Sequence, residues 1–221
     1  MVLGDYLAVN FIDRIFDTPT LYTGFENLMA LYGYSLQVYC DFAGYTDMAI
    51  GVALLLGFRL PKNFNSPYKA ENVGDFWRRW HISLSTWLRD YLYVPIGGNR
   101  RGARRTYLNL AIVMLLGGLW HGAALKFIVW GGIHGACLAL ERALGRRSLY
   151  HRLPGPFRVA LTFLIVTLAW VFFRARDLPA AIAYLSSMFG LGHAQQGADL
   201  VAGLIHQPYY LIHFVLAGVV V

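Results

Sequence analysis

Residues 107–123, YLNLAIVMLLGGLWHGA, decide how this chain folds. They form an apolar stretch that ends at His121, and a second apolar stretch follows at 125–140. Arginine blocks stand on the outer side of both: Arg100, Arg101, Arg104 and Arg105 before the first, and Arg142, Arg146, Arg147, Arg152 and Arg158 after the second. Basic residues beside apolar segments mark the cytoplasmic side of a membrane. The pattern predicts a membrane hairpin over residues 107–141 that carries His121.

His121 lies deep in this predicted hairpin. It follows Arg105 by 16 residues, which is ~24 Å along a helix, whereas the hydrocarbon core is ~30 Å thick. Poor hydration at that depth favours the neutral imidazole. A neutral imidazole can take a proton from a substrate hydroxyl as the hydroxyl attacks a thioester or an ester. The alternative is a packing histidine that bonds to a neighbouring helix.

The composition is that of a membrane protein. Hydrophobic residues make up 57% of the 221 residues, and charged residues only 14%, against about a quarter in a soluble domain. The net charge of +7 comes from arginines clustered beside apolar runs, which argues against a nucleic-acid partner and for membrane lipid. Cys40 and Cys137 lie in apolar stretches without metal-ligand spacing, so we expect no metal site.

Further apolar stretches predict further membrane helices. Residues 25–58 are too many for one crossing, and we expect two helices that meet near residues 41–45. Another span is predicted over 157–173, and an amphipathic helix over 179–189. Residues 191–207 have the character of a loop, and the last apolar run, 209–221, is short for a span. The chain is therefore predicted to be all-α and multi-pass, with one membrane domain over 1–221.

Residues 75–93 have the periodicity of one amphipathic helix, and a polar loop precedes them at 59–74. Tryptophans project to one side and arginines to the other, which is typical of a helix at the membrane–water interface. His81 lies at the boundary between the two faces. It either orients a substrate or an acyl donor, or anchors the helix at the interface.

The remaining polar groups in the apolar stretches leave alternatives open. His134 precedes Glu141 by two helical turns, which predicts a structural hydrogen bond between them. Asp41 and Asp47 either belong to an ion or proton path, or cap helices or pair with one of three arginines: Arg78, Arg79 or Arg89. A transporter or channel that uses Asp41, Asp47 and His121 as an ion path is the main alternative to an enzyme.

Four motifs follow one another along the chain. They are YCDFAGYTDMAIGVALLLGFRLPKNFNSPY at 39–68, FWRRWHISLSTWLRDYLYVPIGGNRRG at 76–102, YLNLAIVMLLGGLWHGA at 107–123 and WVFFRARDLPAAIAYLSSMFG at 170–190. In this order they resemble the membrane-bound O-acyltransferase family, and more narrowly the bacterial branch that holds the membrane subunit of alginate O-acetylation. The resemblance covers about residues 24–190.

The resemblance implies two catalytic residues, His121 of the WHG motif and His81 of RWHISLS. It implies a ring of helices around a tunnel, in the bacterial inner membrane. A cytoplasmic donor, acetyl-CoA or an acyl carrier, would feed the acyl group in, and no bound cofactor is expected. The group would pass outward, often through a periplasmic SGNH-type acetyltransferase, to the hydroxyls of a polysaccharide such as alginate.

Typical members of this branch have more N-terminal helices, so we expect this chain to be the C-terminal catalytic part, cut at both ends. The resemblance does not choose among alginate, cellulose, peptidoglycan and teichoic acid as acceptor. A homologue that has lost its chemistry and binds lipid or a partner is a third possibility.

Overall fold

The chain folds into helices in a computed structural model that describes residues 8–145 and 152–191. The α-helices of this part are α1 (Asp13–Asp17), α2 (Gly24–Leu55), α3 (Val73–Arg79), α4 (Ile82–Trp87), α5 (Gly102–Trp120), α6 (Leu125–Leu144), α7 (Gly155–Arg174) and α8 (Leu178–Met188). Short π-helical segments lie at Ala8–Ile12 and Leu88–Tyr93, and 3-10 turns at Pro19–Leu21 and Pro67–Lys69. No strand occurs in the described residues, and the all-α prediction is confirmed.

Three described helices, α2, α6 and α7, are long and apolar enough to cross a membrane. Helix α7 occupies the span predicted over 157–173, and α8 occupies the helix predicted over 179–189. Each satisfies its peptide groups along its own backbone, which is what an apolar solvent requires. Of the loop predicted over 191–207 and the apolar run at 209–221, everything from residue 192 onward lies outside the described residues.

The apolar stretch at 25–58 forms one helix, and the prediction of two helices was wrong. Helix α2 runs unbroken through residues 41–45 and contains 32 residues. At this length it is ~48 Å long, more than the ~30 Å hydrocarbon core, so a tilt or an extension beyond the core has to accommodate it. Ending the helix inside an apolar layer would leave peptide groups without partners.

The described residues belong to two compact units. Residues 8–45 and 170–191 belong to the first, and 46–145 and 152–169 to the second. In the first unit the Tyr184 hydroxyl donates to the Asn27 carbonyl, and the Ser187 hydroxyl donates to the Pro19 carbonyl at 2.7 Å. Arg174 forms an ion pair with Asp13. The prediction of one membrane domain over 1–221 stays a prediction.

The second unit is built on the antiparallel pair α5 and α6, which corresponds to the hairpin predicted over 107–141. Their backbones approach closely at two glycines. A Cβ added to Gly118 would lie 2.2 Å from the carbonyl oxygen of Phe127, and one added to Gly131 would lie 2.2 Å from that of Met114. Small residues allow such an approach between helices. Of the two helices only α6 is among the described candidate spans, so the membrane character of the hairpin stays a prediction. The contact fixes the position of the connection that follows α5 and begins with His121.

Candidate functional site

The segment predicted as one helix over 75–93 is broken at His81. Helix α3 ends at Arg79, α4 begins at Ile82, and His81 between them has φ 44° and ψ 55°. This left-handed conformation is uncommon outside glycine, although His, Asn and Asp adopt it more readily than other residues. Trp80 is 4% exposed and Trp87 is 54% exposed, although both were assigned to the same face. The prediction of a continuous amphipathic helix was therefore wrong.

The loop before α3 holds this turn through its backbone. The carbonyl of Asn63 accepts a hydrogen bond from the N–H of Ile82 at 3.0 Å. In the opposite direction, the carbonyl of Arg79 accepts one from the N–H of Asn65 at 2.9 Å. The two bonds enclose His81 from both sides along the chain. They stabilise a backbone conformation that would otherwise be unfavourable.

The side chain of Asn63 continues this contact to the imidazole. Its Oδ1 lies 3.2 Å from Nδ1 of His81. The same oxygen accepts hydrogen bonds from the N–H of Ser83 at 3.1 Å and from the Ser83 hydroxyl at 3.0 Å. His81 is thus oriented by a side chain 18 residues earlier in the sequence.

Helix α3, which leads to His81, is tied to α6 by Glu141. The N–H groups of Val73 and Gly74 donate to the two carboxylate oxygens of Glu141 at 2.7 and 3.0 Å. The next N–H, that of Asp75, donates to Oδ1 of Asn72 at 2.7 Å. These N–H groups have no partner inside the helix. The carboxylate and the Asn72 cap satisfy the first three of them.

His121 is the first residue after α5 and lies among aromatic rings. Its ring centroid is 5.3 Å from that of Trp130, 4.9 Å from Trp120 and 6.2 Å from Phe127. Its side chain is half-buried. These apolar walls limit hydration of the imidazole while leaving one part of it accessible, as a group that meets a substrate requires.

The structure brings His81 and His121 together. The Trp120 ring contacts both, with its centroid 6.1 Å from that of His81 and 4.9 Å from that of His121. The pKa of His81 is lowered to about 4, first by burial and second by the charge that His121 can carry. His81 is therefore neutral near pH 7. A neutral histidine facing a second histidine can accept a hydrogen bond from a substrate or hold it in position.

His134 lies behind Trp130 and is completely buried. Its ring contacts Phe76 at 6.0 Å, Trp77 at 5.2 Å and Trp130 at 5.0 Å between centroids. Neither ring nitrogen has a hydrogen-bond partner among the described residues. The predicted bond between His134 and Glu141 was wrong, because the Glu141 carboxylate bonds to the start of α3 instead.

Among the described residues, no ion pair joins Asp47 to the arginines predicted as its partners, and the pairing predicted for Asp41 stays a prediction. Both aspartates lie on α2, and Asp47 is exposed. The three arginines pair with carboxylates close to them in sequence: Arg78 and Arg79 with Asp75, and Arg89 with Asp90. The ion-path role of the two aspartates stays a prediction.

The sequence analysis did not predict the roles of two site residues. These are the contact of Asn63 with His81 and the bonds of Glu141 to the start of α3. Asn63 stands in a polar loop rich in Pro and Asn, where its usual role is in a turn. Glu141 has His134 at helical spacing, which suggests His134 as its partner. Its observed partners are the N–H groups of Val73 and Gly74. One signal in the sequence favours a helix cap. Asn72 is a residue type that commonly caps the start of a helix, and Glu141 is a carboxylate near the end of an apolar helix that can reach such a start.

Comparisons with known proteins find relatives over most of this chain. The sequence model of the membrane-bound O-acyltransferase family matches residues 5–175. The probable alginate O-acetylase of Pseudomonas putida is 51% identical over 193 residues, which cover 87% of this chain and 39% of that protein. The peptidoglycan O-acetyltransferase of Helicobacter pylori is 47% identical over 193 residues, covering 86% of this chain and 36% of that protein.

A more distant relative is the teichoic acid D-alanyltransferase of Bacillus subtilis. It is 33% identical over 157 residues, which cover 66% of this chain and 39% of that protein. The chain thus spans less than two fifths of the length of each of these three relatives. Residues 5–175, which the family model matches, contain the hairpin, the loop and the turn described above.

Proposed function

Because this chain belongs to the membrane-bound O-acyltransferase family, we propose that its protein is a membrane O-acyltransferase in which His121 is the general base. The names of the relatives support acyl transfer, since each name describes the transfer of an acetyl or D-alanyl group to a polymer. The observation that carries the proposal is the convergence of His81 and His121 on Trp120. A half-buried pair of neutral imidazoles suits proton transfer from a hydroxyl.

In the proposed reaction an acceptor hydroxyl attacks the carbonyl carbon of an acyl thioester. His121 takes the hydroxyl proton as the new C–O bond forms. The tetrahedral intermediate then collapses with cleavage of the C–S bond. The leaving thiolate takes from the His121 imidazolium the proton that came from the hydroxyl. No net proton is consumed, and His121 returns to its neutral state. His81 orients the reacting groups beside it.

The proposed donor is cytoplasmic, acetyl-CoA or an acyl carrier, and the protein is multi-pass in the bacterial inner membrane. The acyl group leaves toward the hydroxyls of an extracytoplasmic polysaccharide, with an SGNH-type periplasmic acetyltransferase as partner. Alginate is the proposed acceptor. The comparable identities to an alginate O-acetylase, 51%, and to a peptidoglycan O-acetyltransferase, 47%, make peptidoglycan the alternative to test.

The test compares O-acetyl groups on the polysaccharide from cells that express the full-length gene product and its periplasmic partner. We expect His121→Ala to reduce acetylation by ~10²-fold or more, because general-base catalysis is lost. His134→Phe is the matched control, since it removes a histidine of the same unit that is completely buried. Membrane accumulation of each variant is measured by immunoblot.

Persistent acetylation in His121→Ala would assign His121 a structural role. In that case ion flux into liposomes without an acyl donor tests the ion-path alternative. Acetyl groups on purified alginate and on purified peptidoglycan, measured from the same cells, identify the acceptor.

A further inference from the structure

We propose that Asn63 is a positioning residue that holds His81 in its Nδ1–H tautomer, so that Nε2 is the hydrogen-bond acceptor that the ring presents in the site. This inference rests on the proposed function, because it assigns how His81 takes part in acyl transfer. It concerns a loop side chain to which neither the family resemblance nor the relatives' names give a role.

The first step identifies the atom of Asn63 that faces the turn. A side-chain amide has an oxygen that only accepts hydrogen bonds and a nitrogen that only donates them. The N–H of Ser83 points at this atom from 3.1 Å. A backbone N–H can only donate, so the atom that receives it is the oxygen. The amide orientation is thus set by a partner whose own chemistry is fixed.

The second step identifies the proton on His81. Its Nδ1 lies 3.2 Å from the same Asn63 oxygen. If Nδ1 carried a lone pair, two acceptors would face each other at hydrogen-bond distance, which is repulsive. With a proton on Nδ1 the contact becomes a hydrogen bond. Neutral imidazole has one N–H, so Nε2 then carries the lone pair.

The Ser83 hydroxyl is a competing donor to Nδ1. It lies 3.0 Å from the Asn63 oxygen and 3.4 Å from Nδ1 of His81. A hydroxyl has a single proton, and the shorter contact takes it. The arrangement is therefore consistent only when Asn63 accepts from both Ser83 and His81.

The third step concerns the charges around the ring. His121 is the titratable group whose charge acts on His81. On α3, the nearest cation in sequence, Arg79, is bonded to Asp75 at 2.8 Å. In the loop itself, Arg59 and Lys62 are exposed. The neutral, acceptor-presenting form of His81 is consistent with its low pKa of about 4.

The experiment measures the pH profile of O-acetyl transfer in membranes that contain the full-length protein. Asn63→Asp keeps an oxygen acceptor opposite Nδ1 and adds a negative charge. An opposite charge stabilises the imidazolium, so the pKa of His81 rises, by ~1–3 units. We expect the acid-side loss of activity to move to higher pH, with activity preserved on the alkaline side.

Two further variants separate positioning from simple support of the loop. Asn63→Leu has similar size but no acceptor, and we expect kcat to fall about tenfold or more at every pH, with little change in KM. Ser83→Ala leaves the Asn63–His81 bond in place and should stay within about threefold of the parent. Introducing His81→Asn into Asn63→Asp removes the titrating ring, so the pH shift must disappear in that double variant.

The inference is overturned if Asn63→Asp keeps the parental pH profile, or if its shift survives the loss of His81. It is also overturned if Asn63→Asp and Asn63→Leu lose activity equally at all pH values while both accumulate in the membrane, which would indicate loop bracing alone. In each of these cases the parent still transfers acyl groups. Failure of the proposed function is distinct, since it shows as retained activity in His121→Ala.

Discussion

The carboxylate of Glu141 accepts a hydrogen bond from the N–H of Val73 at 2.7 Å, across 68 residues of sequence. Glu141 lies near the end of α6, and Val73 begins the helix that leads to His81. One side chain therefore connects the hairpin that carries His121 to the segment that carries His81. The relative position of the two histidines depends on this contact as well as on Asn63.

Removing this carboxylate tests the connection. We expect Glu141→Ala to lower the free energy of unfolding by ~1–3 kcal/mol, because two N–H groups lose their acceptor. Glu141→Gln keeps one acceptor oxygen and should cost less. The matched control is Glu71→Ala, which removes a partly exposed ion pair with Arg158 and should cost below ~1 kcal/mol. Thermal unfolding in detergent measures all three, and equal effects of the two alanine variants would contradict the role of Glu141.

The close approach of α5 and α6 makes a second prediction. Gly118→Ala and Gly131→Ala each place a Cβ 2.2 Å from a backbone oxygen, so the helices must separate, at a cost of ~1–3 kcal/mol. Gly132→Ala, whose Cβ would meet its nearest atom at 3.8 Å, should be tolerated. Melting temperature and acyl transfer are measured together, since separation of the helices displaces His121. Tolerance of Gly118→Ala would show that the backbones are farther apart.

The buried imidazole of His134 provides a third prediction. We expect His134→Phe to change stability by less than ~1 kcal/mol, because it keeps the ring contacts and removes two nitrogens that have no partner among the described residues. His134→Ala should cost ~3 kcal/mol through the cavity it leaves. Denaturation of the purified protein compares the two variants. If phenylalanine costs as much as alanine, a buried water bonds the ring nitrogens.

The low pKa of His81 makes a fourth prediction, on stability against pH. In the unfolded chain His81 has its ordinary pKa of 6.5, and in the folded chain its pKa is about 4. Between these values the unfolded state binds more protons, so stability decreases as pH falls from 6.5 toward 4 and is fully present above 6.5. The variant His81→Asn suits the left-handed backbone and lacks this titration. Its melting temperature should depend less on pH over this window; equal slopes would contradict the prediction.

The long helices could be predicted from the sequence, because apolar length and flanking charge suffice to define them. Helix α7 lies within two residues of its predicted bounds at the start and one at the end. The error in α2 has a physical cause. Gly44 and Asp41 have low helix propensity in water, but in apolar surroundings an unbroken helix satisfies more peptide groups than two shorter ones.

The site could be predicted only in part. His121 was singled out because its position along a hairpin follows from counting residues. The turn at His81 was missed, since the pattern of tryptophans and arginines continues through it at helical spacing. What breaks the helix there is contact with Asn63, and contacts between distant residues leave no periodic signal. The same limitation concealed the bonds of Glu141 to Val73 and Gly74.

The reciprocal bonding between the loop and the turn also determines how this region opens. The amide of Ile82 is held by the carbonyl of Asn63, and the amide of Asn65 by the carbonyl of Arg79. We expect neither bond to persist alone, because both support the left-handed backbone at His81. The two amides should therefore exchange with deuterium in one concerted event, at the same rate and later than the amides of exposed loop residues. We therefore expect the loop and the turn to open together, so that His81 is either held by both or released by both.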